Sequence, residues 1–488
     1  MKKNTVEPIA HNRTSRRAFL KTCALAGIAT GTVPKTLFAN DPAQRPNIIF
    51  ILADDLGYQA IGAYGFEQWK VAGSTVPVRT PNVDALTRGG IRFEYAYSSP
   101  VCSPTRGQIM TGKYVHRLGL HDILGRRGAV RELDLDAHAT VAQGLRAAGY
   151  DTVMVGKWHL ARPPMGINDE PLRQMHDTDD PHVARAGFTR QFHTVPAHLR
   201  QYGDPTREGD HKYYPDVLQD YILNYLDSRK NRKQPFFMYY ASPVPHIPHR
   251  PTPLNPNGKR GSQSHGDPAN LPYVIEYFDR QIGAIVARLD EVGMRENTLI
   301  IFAGDNGGAP AGVRPDGSTV GGGKGNVGEG SRVPLTMNWP AFIPPGTVYD
   351  GVVDFTDLMP TLLDIAGAPI PGDIDGVSLK GPMSGDSTRV RQWVHCLCLG
   401  EYFFRDESYA LREDGLLYDV RDETIRNASY PVAMYGVPLS DDKLTEEQRA
   451  AKATLEAARA KVLPNGWLPE DLEHFFRKQR NNQTTKSK

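Results

Sequence analysis

Cysteine is scarce in this chain of 488 residues: there are four, Cys23, Cys102, Cys396 and Cys398. So few, so scattered, imply no disulfide framework. Cys396 and Cys398 sit two apart in the strand-like run 393–399, where alternate residues share a face at the edge of bridging distance, and they read as two buried thiols. Also lacking is an apolar run suited to spanning a membrane: the stretch 23–31 is short and rich in Gly and Thr. No repeat of solenoid length is visible. Charge of one sign is missing as well, the formal balance being +2. Hydrophobic residues at 40% and charged residues at 23% match globular averages, which excludes a fibrous or wholly disordered protein. The length suits one large α/β unit with an appendage, or two or three ordinary domains, and 47 glycines with 38 prolines suggest many loops.

The balance of charge is uneven. Residues 1–39 hold seven Lys/Arg against one acid, so their removal would take the formal charge from +2 to −4. A mildly acidic mature chain has no global electrostatic reason to hold nucleic acid or an anionic membrane. Within that leader, Arg16 and Arg17 precede the apolar stretch 23–31 and small residues follow at 37–39. This resembles a bacterial twin-arginine export signal, cleaved near Ala39 and leaving no stable membrane anchor. The resemblance implies passage through the twin-arginine export machinery to the periplasm or beyond. Such machinery carries folded proteins, so a residue can be modified before export.

Further on, strands and helices alternate. The apolar run 47–53, bounded by Pro46 and by Asp54-Asp55-Leu56-Gly57, reads as a buried parallel strand. A short helix at 140–149 with a glycine stop feeds a strand at 150–155. A helix at 221–230 precedes a strand at 236–240. Apolar residues at 274, 278, 282, 285, 289 and 292 fall on one helical face, Gly293 ends it, and 298–303 is the next strand. The expected fold is α/β: a large wound, mostly parallel sheet with helices on both faces.

Chemistry-bearing residues stand just past each strand. They are Asp54 and Asp55; Lys157 and His159 in Gly-Lys-Trp-His; His246 and His249 in Pro-His-Ile-Pro-His; and Asp305 and Asn306 in Gly-Asp-Asn-Gly-Gly. Open parallel sheets bind ligands at the carboxyl ends of their strands. Asp54, Asp55, Asp305 and Asn306 offer only oxygen, which suits one hard divalent cation, Ca²⁺ first and Mg²⁺ second. A two-zinc phosphohydrolase would want histidine among its ligands, and Asn306 stands after Asp305 instead.

The most specific segment is 101–114. Pro104 fits a first helical turn, so Cys102 would stand at a helix N-terminus, with the Arg106 guanidinium pointing back one turn to the same place. Taken alone, this predicts a depressed thiol pKa and a thiolate nucleophile. With its neighbours the segment says more. Cys102, Pro104, Arg106, Thr111 and Gly112 resemble the signature of the type I, formylglycine-dependent sulfatases. Other family segments recur in order: Asp54-Asp55-Leu56-Gly57, Gly156-Lys157-Trp158-His159, Pro245-His246, Gly304-Asp305-Asn306-Gly307, Gly323-Lys324-Gly325, Glu329-Gly330-Ser331-Arg332-Val333-Pro334 and 357–363. The likeness runs from about Pro46 to Gly376. Gly328-Glu329-Gly330-Ser331 departs from it, standing where the family more often has Tyr-Glu-Gly-Gly.

The resemblance implies that a maturation enzyme oxidises Cys102 to formylglycine. One hydroxyl of the hydrated aldehyde would attack sulfur, polarised by the cation on Asp54, Asp55, Asp305 and Asn306. Arg106 would hold the formylglycine, Lys157 and Lys324 would bind sulfate oxygens, His246 would protonate the leaving alcohol or phenol, and His159 would act as base on the second hydroxyl. His249 has no such support and is left outside the site. The expected activity is hydrolysis of sulfate esters, on carbohydrate or aryl substrates. Alternatives are a phosphonate or phosphodiester hydrolase of the same superfamily, or a sulfated-glycan binder with unmodified Cys102.

The expected organisation is a signal at 1–39, a catalytic domain at 43–380, a smaller carboxy-terminal domain at 381–477 and a disordered tail at 478–488. In the smaller domain, 389–399 and 402–409 read as strands and 446–462 as a charged helix, an antiparallel sheet with a helix. The stretch 162–215 is polar and proline-broken, and its histidines, His176, His182, His193, His198 and His211, read as exposed loop residues. Residues 251–270 read as a loop rimming the pocket, and 307–328 as a glycine-rich loop without a phosphate-binding pattern.

Overall fold

Alternate residues of the apolar run at 47–53 need two different cores, one on each face. In the computed structural model they have them. The structure describes residues 45–124, 132–161, 180–192, 213–262, 264–398, 401–421 and 437–464. The expected signal, the tail and His176, His193, His198 and His211 lie outside these residues. The strands in chain order are β1 (Asn47–Ala53), β2 (Gln68–Val71), β3 (Ser74–Pro77), β4 (Ile91–Tyr97), β5 (Asp151–Gly156), β6 (Arg190–Phe192), β7 (Phe236–Ala241), β8 (Thr298–Gly304), β9 (Ala311–Val313), β10 (Thr319–Val320), β11 (Leu335–Asn338), β12 (Thr347–Asp354), β13 (Val394–Cys398), β14 (Glu401–Arg405), β15 (Tyr409–Arg412), β16 (Leu417–Asp419) and β17 (Val437–Leu439). Described helices of seven residues or more are α1 (Pro81–Arg88), α2 (Cys102–Thr111), α3 (Val141–Ala147), α4 (Tyr214–Arg229), α5 (Leu271–Glu291), α6 (Leu358–Ile365) and α7 (Glu446–Val462).

Eight strands form the main sheet in the order β12-β4-β11-β8-β1-β7-β5-β6. Only β11 runs against its neighbours, and every other pairing is parallel. Ile48, Phe50 and Leu52 enter one core with Val141 and Leu145 of α3 and Leu358 and Leu362 of α6. Ile49, Ile51 and Ala53 enter the other with Leu218 and Ile222 of α4 and Phe278 and Ile282 of α5. Each fully buried Ile, Leu or Phe contributes about 1.5–3 kcal/mol. An Ile51→Asp change would bury an unpaired charge between β1 and these helices, and would break the layer.

Local signals explain the helix ends. Thr140 caps α3 in a reciprocal box: its hydroxyl accepts from the Gln143 amide at 3.2 Å, and Gln143 Oε1 accepts from the Thr140 amide at 3.2 Å. α5 starts with Pro272 in its first turn and stops before Gly293, whose φ is 71°.

Several boundaries differ from expectation. α4 begins at Tyr214, because Pro215 sits in its first turn and does not interrupt it. The run at 389–399 is a strand only from Val394, and 402–409 divides into β14 and the start of β15 around a turn held by the Asp406 carboxylate. The stretch 307–328 is not wholly loop: β9 and β10 join β2 and β3 in a four-stranded antiparallel sheet. Gln59 ties it down, its Nε2 donating to the Gly308 and Pro310 carbonyls at 2.8 and 3.0 Å.

The carboxy-terminal sheet, β13 to β17, is antiparallel throughout, and α7 packs Leu455 and Ala458 into its core. On its other face Cys396, Cys398 and Phe403 meet Tyr97 and Val101, the residues leading into α2. Both cysteines are buried thiols outside any disulfide. Ser331 fits here without strain: its hydroxyl donates to the Val327 carbonyl at 2.6 Å. No described helix is long and apolar enough to cross a membrane.

Candidate active site

Parallel pairing sets the strand ends side by side. Ala53 of β1 is in register with Gly304 of β8, while Leu52 and Gly156 of β5 are both in register with Ala241 of β7. The chain just past each end therefore emerges on one edge, as expected for ligand sites of wound sheets. The Asp305 amide donates to the Ala53 carbonyl at 2.9 Å, and the Lys157 amide to that of Ala241 at 2.8 Å. Two site residues adopt left-handed backbone, Asp55 with φ 65° and His159 with φ 57°. Such conformations cost energy outside glycine and persist where the surroundings over-determine them. Gly308 supplies part of that constraint: a Cβ there would lie 2.1 Å from the Asp55 carbonyl oxygen.

At the centre, Asp54, Asp305, Asn306, Arg106 and Lys157 are all buried. Lys157 Nζ lies 2.7 Å from Asp54 Oδ2. Arg106 donates to Asp305 Oδ2 from Nη2 at 2.7 Å and from Nε at 3.2 Å, sits 3.8 Å from Asp54 Oδ1, and also donates to the Lys157 carbonyl. Its guanidinium thus serves the carboxylates at the place where Cys102 also stands, and Cys102 is among its electrostatic neighbours. Asp55 meets the outer groups: Lys324 Nζ at 2.6 Å from Oδ1 and His246 Nε2 at 3.5 Å from Oδ2. His246 Nδ1 donates to the Ile247 carbonyl at 2.6 Å, which fixes a proton there and turns Nε2 to the site.

Burial opposes charge on both inner carboxylates, and the outcome differs. For Asp54 burial is overridden by Lys157, His246, Arg106 and Lys324, which hold its carboxyl far below the usual range. For Asp305 burial and the neighbouring Asp54 charge prevail over Arg106 and push it up to about 7. Two carboxylates this close share negative charge reluctantly, a situation that a divalent cation relieves. Single ligand atoms of Asp54, Cys102 and Asp305 lie within 4.8 Å of one another, as do those of Asp54, Asp55 and His246. Asn306 Nδ2 donates to Asp55 Oδ1 and to the Gly307 carbonyl, both at 2.8 Å, while its buried Oδ1 has no hydrogen-bond partner, and neither has Asp54 Oδ1. Orphaned buried oxygens in an all-oxygen set fit a hard cation.

Cys102 is the first residue of α2, as the proline pattern predicts. The thiolate expectation is wrong, however. Burial pushes the thiol up, and Lys157 and Lys324 do not compensate. Its Sγ lies 3.2 Å from His159 Nδ1. Cys102, Arg106, Lys157, His159, His246, Lys324, Asp54, Asp55, Asp305 and Asn306 thus all gather at one pole. His249 lies close by and is buried, its Nε2 donating to the Pro245 carbonyl at 3.1 Å, a tie within the loop that carries His246. His182 contradicts the exposed-loop expectation. It is largely enclosed against Trp158, and only that aromatic neighbour, 24 residues earlier in the chain, could have signalled it.

Residues 46–368 match the family described as Sulfatase, and residues 327–416 match N-sulphoglucosamine sulphohydrolase, C-terminal. The chain belongs to the sulfatase family, within the alkaline phosphatase superfamily. It is a sulfuric ester hydrolase. Human arylsulfatase A is 30% identical over 377 residues, 72% of this chain and 70% of that protein. The ulvan-active sulfatase of Formosa agariphila is 28% identical over 399 residues, 79% of this chain and 66% of that protein. The solved structure of BT4656 in complex with its substrate D-glucosamine-2-N,6-O-disulfate aligns with a TM-score of 0.62 at 20% identity, over 86% of this chain and 99% of that one. At that identity the likeness is one of fold.

Proposed function

We propose that this enzyme removes sulfate from carbohydrate esters, using a formylglycine made from Cys102 and one divalent cation, Ca²⁺ or Mg²⁺, held by Asp54, Asp55, Asp305 and Asn306. The observation that carries the reading is the meeting of an oxygen-only ligand set, holding two orphaned buried oxygens, with Cys102 at the start of α2. When bound, the cation would supply positive charge and the formylglycine a hydroxyl nucleophile. Lys157 and Lys324 hold the sulfuryl oxygens as charge builds on them. His246 delivers the proton of Nε2 to the leaving oxygen, its other nitrogen being tied to the Ile247 carbonyl. His159, beside position 102, takes up a proton at Nδ1 as sulfate is expelled. Arg106 neutralises Asp305 and anchors the Lys157 carbonyl, so that the charged groups keep their places.

A sulfated sugar as substrate is supported by the names of the relatives: one acts on ulvan, and another holds a disulfated glucosamine. We further propose export to the periplasm or medium through the signal at 1–39, and a division into a catalytic domain at 43–380 and a smaller one at 381–477. The test compares turnover of an aryl sulfate, an aryl phosphate and an aryl phosphodiester by protein made with a formylglycine-forming enzyme, alongside Cys102→Ala. Sulfate turnover should exceed the other two by about 10²-fold and vanish in the variant, since the lost group is the nucleophile. Preference for a phosphorus ester, or activity surviving in Cys102→Ala, would contradict the reading.

A further inference from the structure

The turn that carries Lys157 and His159 is pinned at three points. Arg106 donates to the Lys157 carbonyl, the Leu133 amide donates to the Leu160 carbonyl at 2.9 Å, and the Trp158 indole Nε1 donates to His182 Nδ1 at 3.1 Å. The third point determines a tautomer. An indole N–H can only donate, so His182 Nδ1 accepts, and the proton sits on Nε2, which lies 2.9 Å from the Leu133 carbonyl and donates to it. The bonds close a ring: Trp158 to His182, His182 to Leu133, and Leu133 to Leu160. Inside it lies His159, buried, with a left-handed φ of 57° and 3.2 Å from Cys102 Sγ. A strained residue of this kind holds its place only if both flanks are fixed.

We propose that His182 is a positioning residue for the sulfate-ester site: it fixes Trp158 and so sets the placement of Lys157 and His159. The inference rests on the roles given above to those two residues. His182 is built for this duty. It lies on the short helix Pro181–Arg185, where the Asp180 carboxylate accepts from its amide at 2.8 Å. That helix is tied from the far side by Gln143 Nε2, which donates to the Arg185 carbonyl at 2.7 Å, and by the Thr140 hydroxyl, which donates to that of Ala186. Burial lowers the pKa of His182, in keeping with an uncharged ring whose Nδ1 accepts. The Trp158 ring packs edge-on against Phe188 at 5.8 Å, so the indole has a wall behind it and an acceptor at its tip.

The test measures kcat, KM and thermal midpoint on an aryl sulfate for wild type, His182→Leu, His182→Asn and Gln143→Ala. Leucine removes both ring bonds. Asparagine keeps an acceptor where Nδ1 stood. Gln143→Ala loosens the same short helix without touching the bond to Trp158. His182→Leu should lower kcat about tenfold with KM changed less than about threefold, as misplacement of reacting groups does. His182→Asn should recover most of that loss, and Gln143→Ala should lower the midpoint while keeping kcat. Wild-type kcat in His182→Leu, or kcat falling in step with the midpoint across all three variants, would overturn the inference. If His182→Leu does not fold, His182→Asn and His182→Gln decide: higher kcat in Asn supports the inference, and equal values overturn it. A wild-type enzyme that hydrolyses no sulfate ester would sink the functional reading and this inference with it, whereas an active wild type with an indifferent His182 sinks this inference alone.

Discussion

Cys102 Sγ and His159 Nδ1 lie 3.2 Å apart although 57 residues separate them in the chain. One begins a helix after β4, the other sits in a left-handed turn after β5. A base at that distance reaches whatever group position 102 carries, and on this the proposed role of His159 in freeing sulfate rests.

His159→Ala should therefore still release the first product. Stopped-flow measurement should show a burst of about one equivalent of phenol followed by near arrest, and mass analysis should find a sulfuryl group on the peptide containing position 102. A steady rate without a burst would assign His159 some other duty.

Lys324 and Lys157 should separate function from stability. Lys324 is a quarter exposed and pairs with the partly exposed Asp55, whereas Lys157 and Asp54 are both at or below 2%. Both Ala variants should lose kcat/KM by about 10²–10³, the usual cost of one preorganised charge. Lys157→Ala should in addition lower the urea midpoint, because the buried Asp54 loses its nearest cation, 2.7 Å away, while Lys324→Ala should keep its midpoint.

Chelation should remove activity and lower the thermal midpoint together, because a cation bound only by the native state stabilises it by mass action and keeps Asp54 and Asp305 compatible. Adding back Ca²⁺ should restore both. Asn306→Ala, which deletes one orphaned oxygen, should need more Ca²⁺ for the same recovery. Full activity in chelated protein that elemental analysis finds free of metal would exclude the cation.

Acid should weaken the fold through the carboxy-terminal junction. Burial, with His116 beside it, holds His395 down to about 3, and burial holds His116 down to about 4, from ordinary values of 6.5. Between about 4 and 6.5 the unfolded chain binds these protons and the folded chain does not, so stability is complete above the upper value and falls as the pH drops. Across pH 6 to 5 the His395→Phe variant, its ring stacking on Phe404 as the imidazole does at 4.2 Å, should show a slope shallower by up to about 1.4 kcal/mol per pH unit. An unchanged slope would mean that His395 titrates normally.

Much of this site is written plainly in the sequence. Asp54, Lys157, His246 and Asp305 can be placed because each follows a continuous apolar run, and such runs have few other uses than buried strands. Which strand lies beside which is not written there: β1 takes β7 and β8 as neighbours through contacts nearly two hundred residues away or more. β9 and β10 escape notice because three and two residues among glycines carry no period. The thiolate expectation fails for a three-dimensional reason. A helix N-terminus can be seen in a sequence, but the burial that outweighs it cannot. His182 is invisible in the same way, one of five histidines in a polar stretch, whose partner is an indole outside that stretch.

The central claim is that Cys102 acts as formylglycine. The direct measurement isolates the peptide spanning Cys102 from mature protein of the native host, or from protein expressed with a maturation system. It records the peptide mass and its reaction with a carbonyl-trapping hydrazide. The account predicts the mass of an aldehyde in place of the thiol and a hydrazone on that peptide alone. An unmodified thiol in catalytically active protein from the native host would contradict it.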